Sequence, residues 1–134
     1  MMPPIFHLIP DAPTPVGPYS HVVELDGWLF VTGQLATDPE DDSRPLPEGI
    51  EAQSRKVFDN LRRALAGAAA GFEHVLMVRV FLTHFERDYA AFNRLYLDYF
   101  PPTRLPARTT VGVTALARGG IVEIDMIAYR PPRH

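Results

Sequence analysis

The chain has 134 residues, a net charge of −3, 14 prolines and no cysteine. That length fits one domain, 1–134, large enough to bury a core unaided, and the lack of cysteine excludes disulfides and thiolate sites. The basic residues are dispersed and no apolar run is long enough to span a bilayer, so neither nucleic acid nor membrane is expected as a partner.

The segment Met1–Asp11 has no Lys or Arg and is interrupted by Pro3, Pro4 and Pro10, unlike a signal peptide, so the expected location is cytoplasmic. The prolines fall in clusters that leave three free blocks, 19–38, 48–100 and 107–130. In the first block, His21–Leu25 and Trp28–Thr32 flank Asp26-Gly27, a pair suited to the positive φ of a type I′ turn, which predicts a strand hairpin. Charge and proline without apolar period make 38–47 a loop.

From Glu48, apolar or small residues at Ile50, Ser54, Val57, Phe58, Leu61, Leu65 and Ala68 share one helical face, with Gly71 as the expected stop. The run of Ala and Gly over 64–70 predicts close packing of that helix on its neighbour. Val75–Thr83 carries one charge, Arg79, and reads as a strand buried on both faces. One helix layer covers one face, so a second copy of the chain is expected on the other. A second helix from about Glu86 bears Tyr89, Phe92, Tyr96, Tyr99 and Phe100 on one stripe, read as core, with Asn93 beside it, and ends before Pro101-Pro102. Arg108–Leu116 and Ile121–Tyr129 are two strands about a glycine-containing turn, expected to form a hairpin. The order ββαβαββ predicts an α+β domain with two helices on one face of a mainly antiparallel sheet.

The chemistry is narrowed by what is missing. The histidines His7, His21, His74, His84 and His134 show no ligand spacing, so no metal site is expected. Lys56 is the only lysine and falls on the polar side of the first helix, which argues against Schiff-base chemistry, and no phosphate loop or nucleophile elbow is present. No cofactor is expected. The polar residues in unusual places are Glu123, inside an apolar strand with Asp125 on the same face, Arg108 at a strand start, and Thr32-Gly33-Gln34 where glycine permits close approach. Each has a plain alternative: Glu123 as the solvent side of a one-sided strand, Arg108 as a surface arginine.

Taken together these pieces resemble the Rid (YjgF-type) reactive intermediate deaminases over nearly the whole chain. The matching motifs are Gly17-Pro18-Tyr19-Ser20, Val31-Thr32-Gly33-Gln34, Gln53, Asn60-Leu61, Asn93 with Tyr96 and Phe100, Pro106-Ala107-Arg108-Thr109, and Val122-Glu123-Ile124-Asp125 followed by Ile127-Ala128. The resemblance implies a chorismate-mutase-like fold with a six-stranded sheet, a barrel-like homotrimer, and sites in the clefts between subunits. It implies cofactor-free hydrolysis of small 2-imino acids or enamines to 2-keto acids and ammonia. The catalytic set would be Arg108, binding the substrate carboxylate, Glu123, near the hydrolytic water, and Tyr19, closing the pocket within hydrogen-bonding reach of substrate or water, while Asn93, Thr32, Gly33 and Thr110 would line the pocket. Thr32 stands where the family commonly has serine, Thr110 where it often has cysteine, His21 where it often has glutamine, and Ala117 where it often has proline. Two other functions remain open: the same cleft sensing a keto acid without turnover, and an endoribonuclease activity. In the expected hairpin, Arg108 would pair near Tyr129 and Thr114 near Glu123, placing Arg108 and Glu123 about 20 Å apart in one chain. They could then share a site only across a subunit interface, or if the register is irregular, and the interface is the expectation.

Overall fold

In a computed structural model of the chain, which describes residues 2–132, six strands and two helices follow in the order β1 (Ile5–His7), β2 (Val22–Leu25), β3 (Trp28–Gln34), α1 (Ile50–Gly67), β4 (Val75–Leu82), α2 (Phe85–Tyr96), β5 (Ala107–Gly112) and β6 (Val122–Tyr129). Met1 and His134 lie outside the described residues. The strands form one sheet in the order β1-β2-β3-β6-β4-β5. Every pairing is antiparallel except β4 with β5, which is parallel.

The first hairpin forms where Asp26-Gly27 predicts it. Asp26 and Gly27 have φ of 49° and 81°, and Leu25 pairs with Trp28. The short β1 has no signal in the sequence pattern, because three residues after Pro3-Pro4 are too few to show an alternation. Helix α1 ends before the expected Gly71, at Gly67, because the chain turns through Ala69 at φ 62°. Gly67 itself accounts for part of the small-residue run: a Cβ there would come within 2.5 Å of Ile9 Cγ2, so the helix lies directly on the segment after β1.

The expected hairpin of the last two strands does not form. β5 is joined to β4 by the crossover through α2 and pairs with it in parallel, whereas β6 inserts between β3 and β4. Arg108 therefore pairs with Val78 rather than near Tyr129, and Glu123 pairs with Phe81 rather than near Thr114. A glycine-containing connection allows a hairpin but does not require one. Here Arg118 and Gly119, at φ 60° and 69°, turn the chain within a loop that spans a whole intervening strand.

Strand alternation sorts the side chains onto two faces. On one face Val22, Leu29, Val31, Val78, Val80, Leu82, Val122 and Ile124 are buried beneath α1 and α2, with Val57, Phe58, Leu61 and Phe92 facing them. Phe58 stacks on Tyr99, ring centroids 4.1 Å apart, and stands 6.2 Å from Phe92, which joins the two helices. Among the described residues, no layer lies over the other face. A row of facing residues, Phe6, Val23, Phe30, Ile127, Met77 and Ala107, crosses all six strands there. Phe6 and Phe30 are 67% and 47% exposed, so the apolar positions of this face are uncovered in the single chain.

Candidate active site

The sequence-predicted site residues fall into two groups, one on each face of the sheet. The first is built at the β5 edge beneath α2. Arg108 continues the buried row Val22, Val31, Met126, Val78, so its side chain is directed to the helix side. There its Nε donates to Thr110 Oγ1 at 2.8 Å and its Nη2 donates to Asn93 Oδ1. The guanidinium carbon lies 4.7, 5.4 and 5.9 Å from the ring centres of Tyr96, Phe92 and Tyr89. These cation–π contacts and hydrogen bonds fix the plane of the guanidinium. Among the described residues Nη1 has no hydrogen-bonded partner, so part of the fork is open to a ligand.

The aromatic stripe of α2 is thus both core and platform, a second role its helical spacing alone does not reveal. Tyr96 is 4% exposed, and its hydroxyl has no hydrogen-bond partner among the described residues. Burial pushes its phenol up to about 12, with the Arg108 charge acting against the rise.

The second group lies on the open face. Between Val31 and Gln34 the β3–β6 register slips, leaving Thr32 and Gly33 at a bulge. Glu123 on β6 packs over Gly33 so closely that a Cβ there would stand 2.5 Å from Glu123 Oε2. Burial, and next the repulsion of Asp125, hold the Glu123 carboxyl above the usual glutamate range. Tyr19 lies along the same face, in a groove of about 530 Å³ shared with Ser20, Thr32, Gly33, Met77 and Arg79. Its hydroxyl accepts the Val16 N–H at 2.9 Å, and its own N–H donates to Gly17 O at 3.0 Å.

Two carboxylates two residues apart on β6 have opposite fates. Arg79 grips Asp125 with both arms of its fork, Nε to Oδ1 at 2.8 Å and Nη2 to Oδ2 at 2.7 Å. This accounts for the single charge in the apolar run of β4. Glu123 has no basic partner among the described residues, which leaves it available to accept a proton. The Arg79 pairing escaped sequence reasoning because it depends on the antiparallel register of β4 with β6.

Within one chain the two groups do not meet. Arg108 is on the helix side and Glu123 on the open side, and their backbone positions, two strands and three residues apart, are roughly 14 Å from each other. The structure thus gathers Arg108, Asn93 and Thr110 into one half and Tyr19, Thr32, Gly33 and Glu123 into another. Among the described residues, no group of three or more His, Asp or Glu side chains converges as metal ligands do, and no helix is long and apolar enough to cross a membrane.

Comparison with known proteins gives a consistent picture. The family described as Endoribonuclease L-PSP matches residues 9–130. A RutC family protein of Synechocystis is 39% identical over 121 residues, covering 90% of this chain and 92% of that protein. A mouse protein named 2-iminobutanoate/2-iminopropanoate deaminase is 35% identical over 121 residues, covering 90% of this chain and 87% of its own length. The crystal structure of RidA from the Antarctic bacterium Psychrobacter superposes with a TM-score of 0.83 at 36% identity, covering 90% of this chain and 94% of that one.

Proposed function

This chain belongs to the Endoribonuclease L-PSP family, in its RidA/YjgF branch, and on that premise we propose that it hydrolyses small 2-imino acids to 2-keto acids and ammonia. The observation that carries the reading is the division of the site into two complementary halves: a pre-oriented arginine fork, and a carboxylate that has no basic partner among the described residues, at a glycine bulge. Each half lacks what the other has. A homotrimer in which the open face of one subunit is covered by its neighbours would bring Glu123 of one copy to Arg108 of another.

In the mechanism, the substrate carboxylate binds Nη1 and the remaining N–H of Nη2, because Thr110 and Asn93 hold the Nε side of the fork. This fixes the imine carbon relative to the opposing half. Glu123 takes a proton from a water as the water oxygen attacks that carbon and delivers it to the imine nitrogen, giving a neutral tetrahedral carbinolamine. Glu123 then takes the hydroxyl proton as the carbonyl forms and the C–N bond breaks, and delivers it to the departing nitrogen, so that ammonia leaves and the carboxylate is restored. Burial raises the basicity of Glu123, which suits a group that takes up and delivers a proton in both the addition and the elimination step. Tyr19 closes the wall beside Thr32 and Gly33. Imines hydrolyse unaided, so positioning plus one general base, about 10²–10⁴-fold for proton transfer, suffices without a cofactor.

The test is ammonia release from imino acids made in situ by an amino acid oxidase. The protein should accelerate release, and Arg108→Ala should remove the acceleration. Binding of 2-keto acids with no rate effect on any imine tried would show a sensing cleft instead and would contradict the proposal.

A further inference from the structure

Tyr19 is carried by the connection between β1 and β2, residues 8–21, which contains Pro10, Pro13, Pro15 and Pro18. Four residues without an N–H leave this segment with few backbone hydrogen bonds of its own. Its internal backbone bonds are Ala12 N–H to Ile9 O and Tyr19 N–H to Gly17 O. The tie across its base is a side chain. His21 is 3% exposed, and its ring uses both nitrogens: Nδ1 accepts the Ile9 N–H at 2.7 Å, and Nε2 donates to Pro13 O at 2.7 Å. The partners dictate the tautomer, since the amide of Ile9 can only donate and the Pro13 carbonyl can only accept.

The clamp is fixed at both ends. The His21 backbone is held in the sheet, its N–H donating to His7 O and its carbonyl accepting the Thr32 N–H, both at 3.0 Å. Ile9, on the other side, packs directly against Gly67 of α1. The Tyr19 hydroxyl is bonded within the same loop, to Val16 N–H, so the tyrosine moves with the loop. His21 also ties this loop to the bulge, because Thr32 is its backbone partner.

We propose that His21 is a positioning residue for Tyr19: by bridging Ile9 and Pro13 through its two ring nitrogens, it closes the loop at its base and sets where Tyr19 stands against Thr32 and Gly33. An alanine at this position removes both bonds. Glutamine supplies an acceptor and a donor on one planar end and can restore them.

Amide hydrogen exchange followed by NMR reads this without reference to turnover. In His21→Ala, exchange at both Ile9 and Val16 should quicken by about 30-fold, as expected for the loss of two buried hydrogen bonds, while the amides of β4 and β6 stay as slow as in the parent. In His21→Gln both should return to within about 3-fold of the parent. Faster exchange at Ile9 with Val16 unchanged would show that the clamp does not reach Tyr19 and would overturn the proposal, as would unchanged exchange at both. If His21→Ala does not fold, the ¹⁵N spectrum of the parent imidazole decides: a bare Nδ1 and a protonated Nε2 support the clamp, and the opposite tautomer overturns it. The link to catalysis rests on the deaminase reading. There, His21→Ala should lower kcat/KM and His21→Gln restore it, while the exchange result stands whether or not imines prove to be the substrate.

Discussion

Of the two carboxylates on β6, one is neutralised and the other is free. Asp125 is held by Arg79 in a two-armed ion pair, whereas Glu123 packs over Gly33 with no basic partner among the described residues and is held above its usual range by burial and by Asp125. This contrast separates a structural acid from a candidate base, and it follows from environment, since both residues sit in the same apolar strand. Glu123→Gln should cut kcat by about 10²–10⁴-fold, the range for removing a general base. In the parent, the acid limb of kcat/KM should have its midpoint above the ordinary glutamate range, and in the variant that limb should vanish. The stability effect has the opposite sense to that of an ion-paired acid. A carboxyl with a raised folded-state pKa contributes most when protonated, below its unfolded pKa, and loses that contribution as pH rises through the folded value. Thermal melts should therefore show Glu123→Gln more stable than the parent at neutral pH, with the difference shrinking in acid.

At the scale of elements, local signals were legible and non-local pairing was not. Asp26-Gly27 specified its hairpin because the turn's two positive φ values are a property of those residues alone. The α2 stripe announced a helix, yet its use as the bed for Arg108 depends on β5 lying parallel beside β4, which no residue of β5 encodes. The same is true of the last two strands: Gly119-Gly120 suggests a turn between neighbours, while the buried row through Val78 and Met126 places β4 between them. Arg108, Glu123, Tyr19, Thr32, Gly33, Asn93 and Thr110 could be picked out from motifs, but their division between two faces emerged only from register. The β3 bulge offers a direct check. Gly33→Ala would place a methyl 2.5 Å from Glu123 Oε2, the far end of a flexible side chain that can swing aside. Assayed for imine hydrolysis and thermal stability, this variant should lose at least about 10-fold in kcat with its melting temperature little changed, since displacing a base by about an ångström costs rate more than fold.

At the scale of the whole molecule, the sheet has one packed face and one open face. The row Phe6, Val23, Phe30, Ile127, Met77 and Ala107 runs uninterrupted across the open side, and Trp28 is 51% exposed. A broad apolar face of this kind calls for a partner surface. The hairpin that would separate Arg108 from Glu123 does not form; instead the two project from opposite sides of one sheet, so a single chain does not bring them together. If each site takes its arginine from one subunit and its glutamate from another, two inactive variants can repair each other. Arg108→Ala and Glu123→Gln, unfolded together and refolded as an equal mixture, should form random mixed trimers in which about a quarter of the sites carry both native residues. The measurement is imine hydrolysis by that mixture against each variant refolded alone. Recovery of about a quarter of the parent rate is the predicted result, and a mixture no more active than its components, with trimers confirmed by light scattering, would contradict a site shared between subunits.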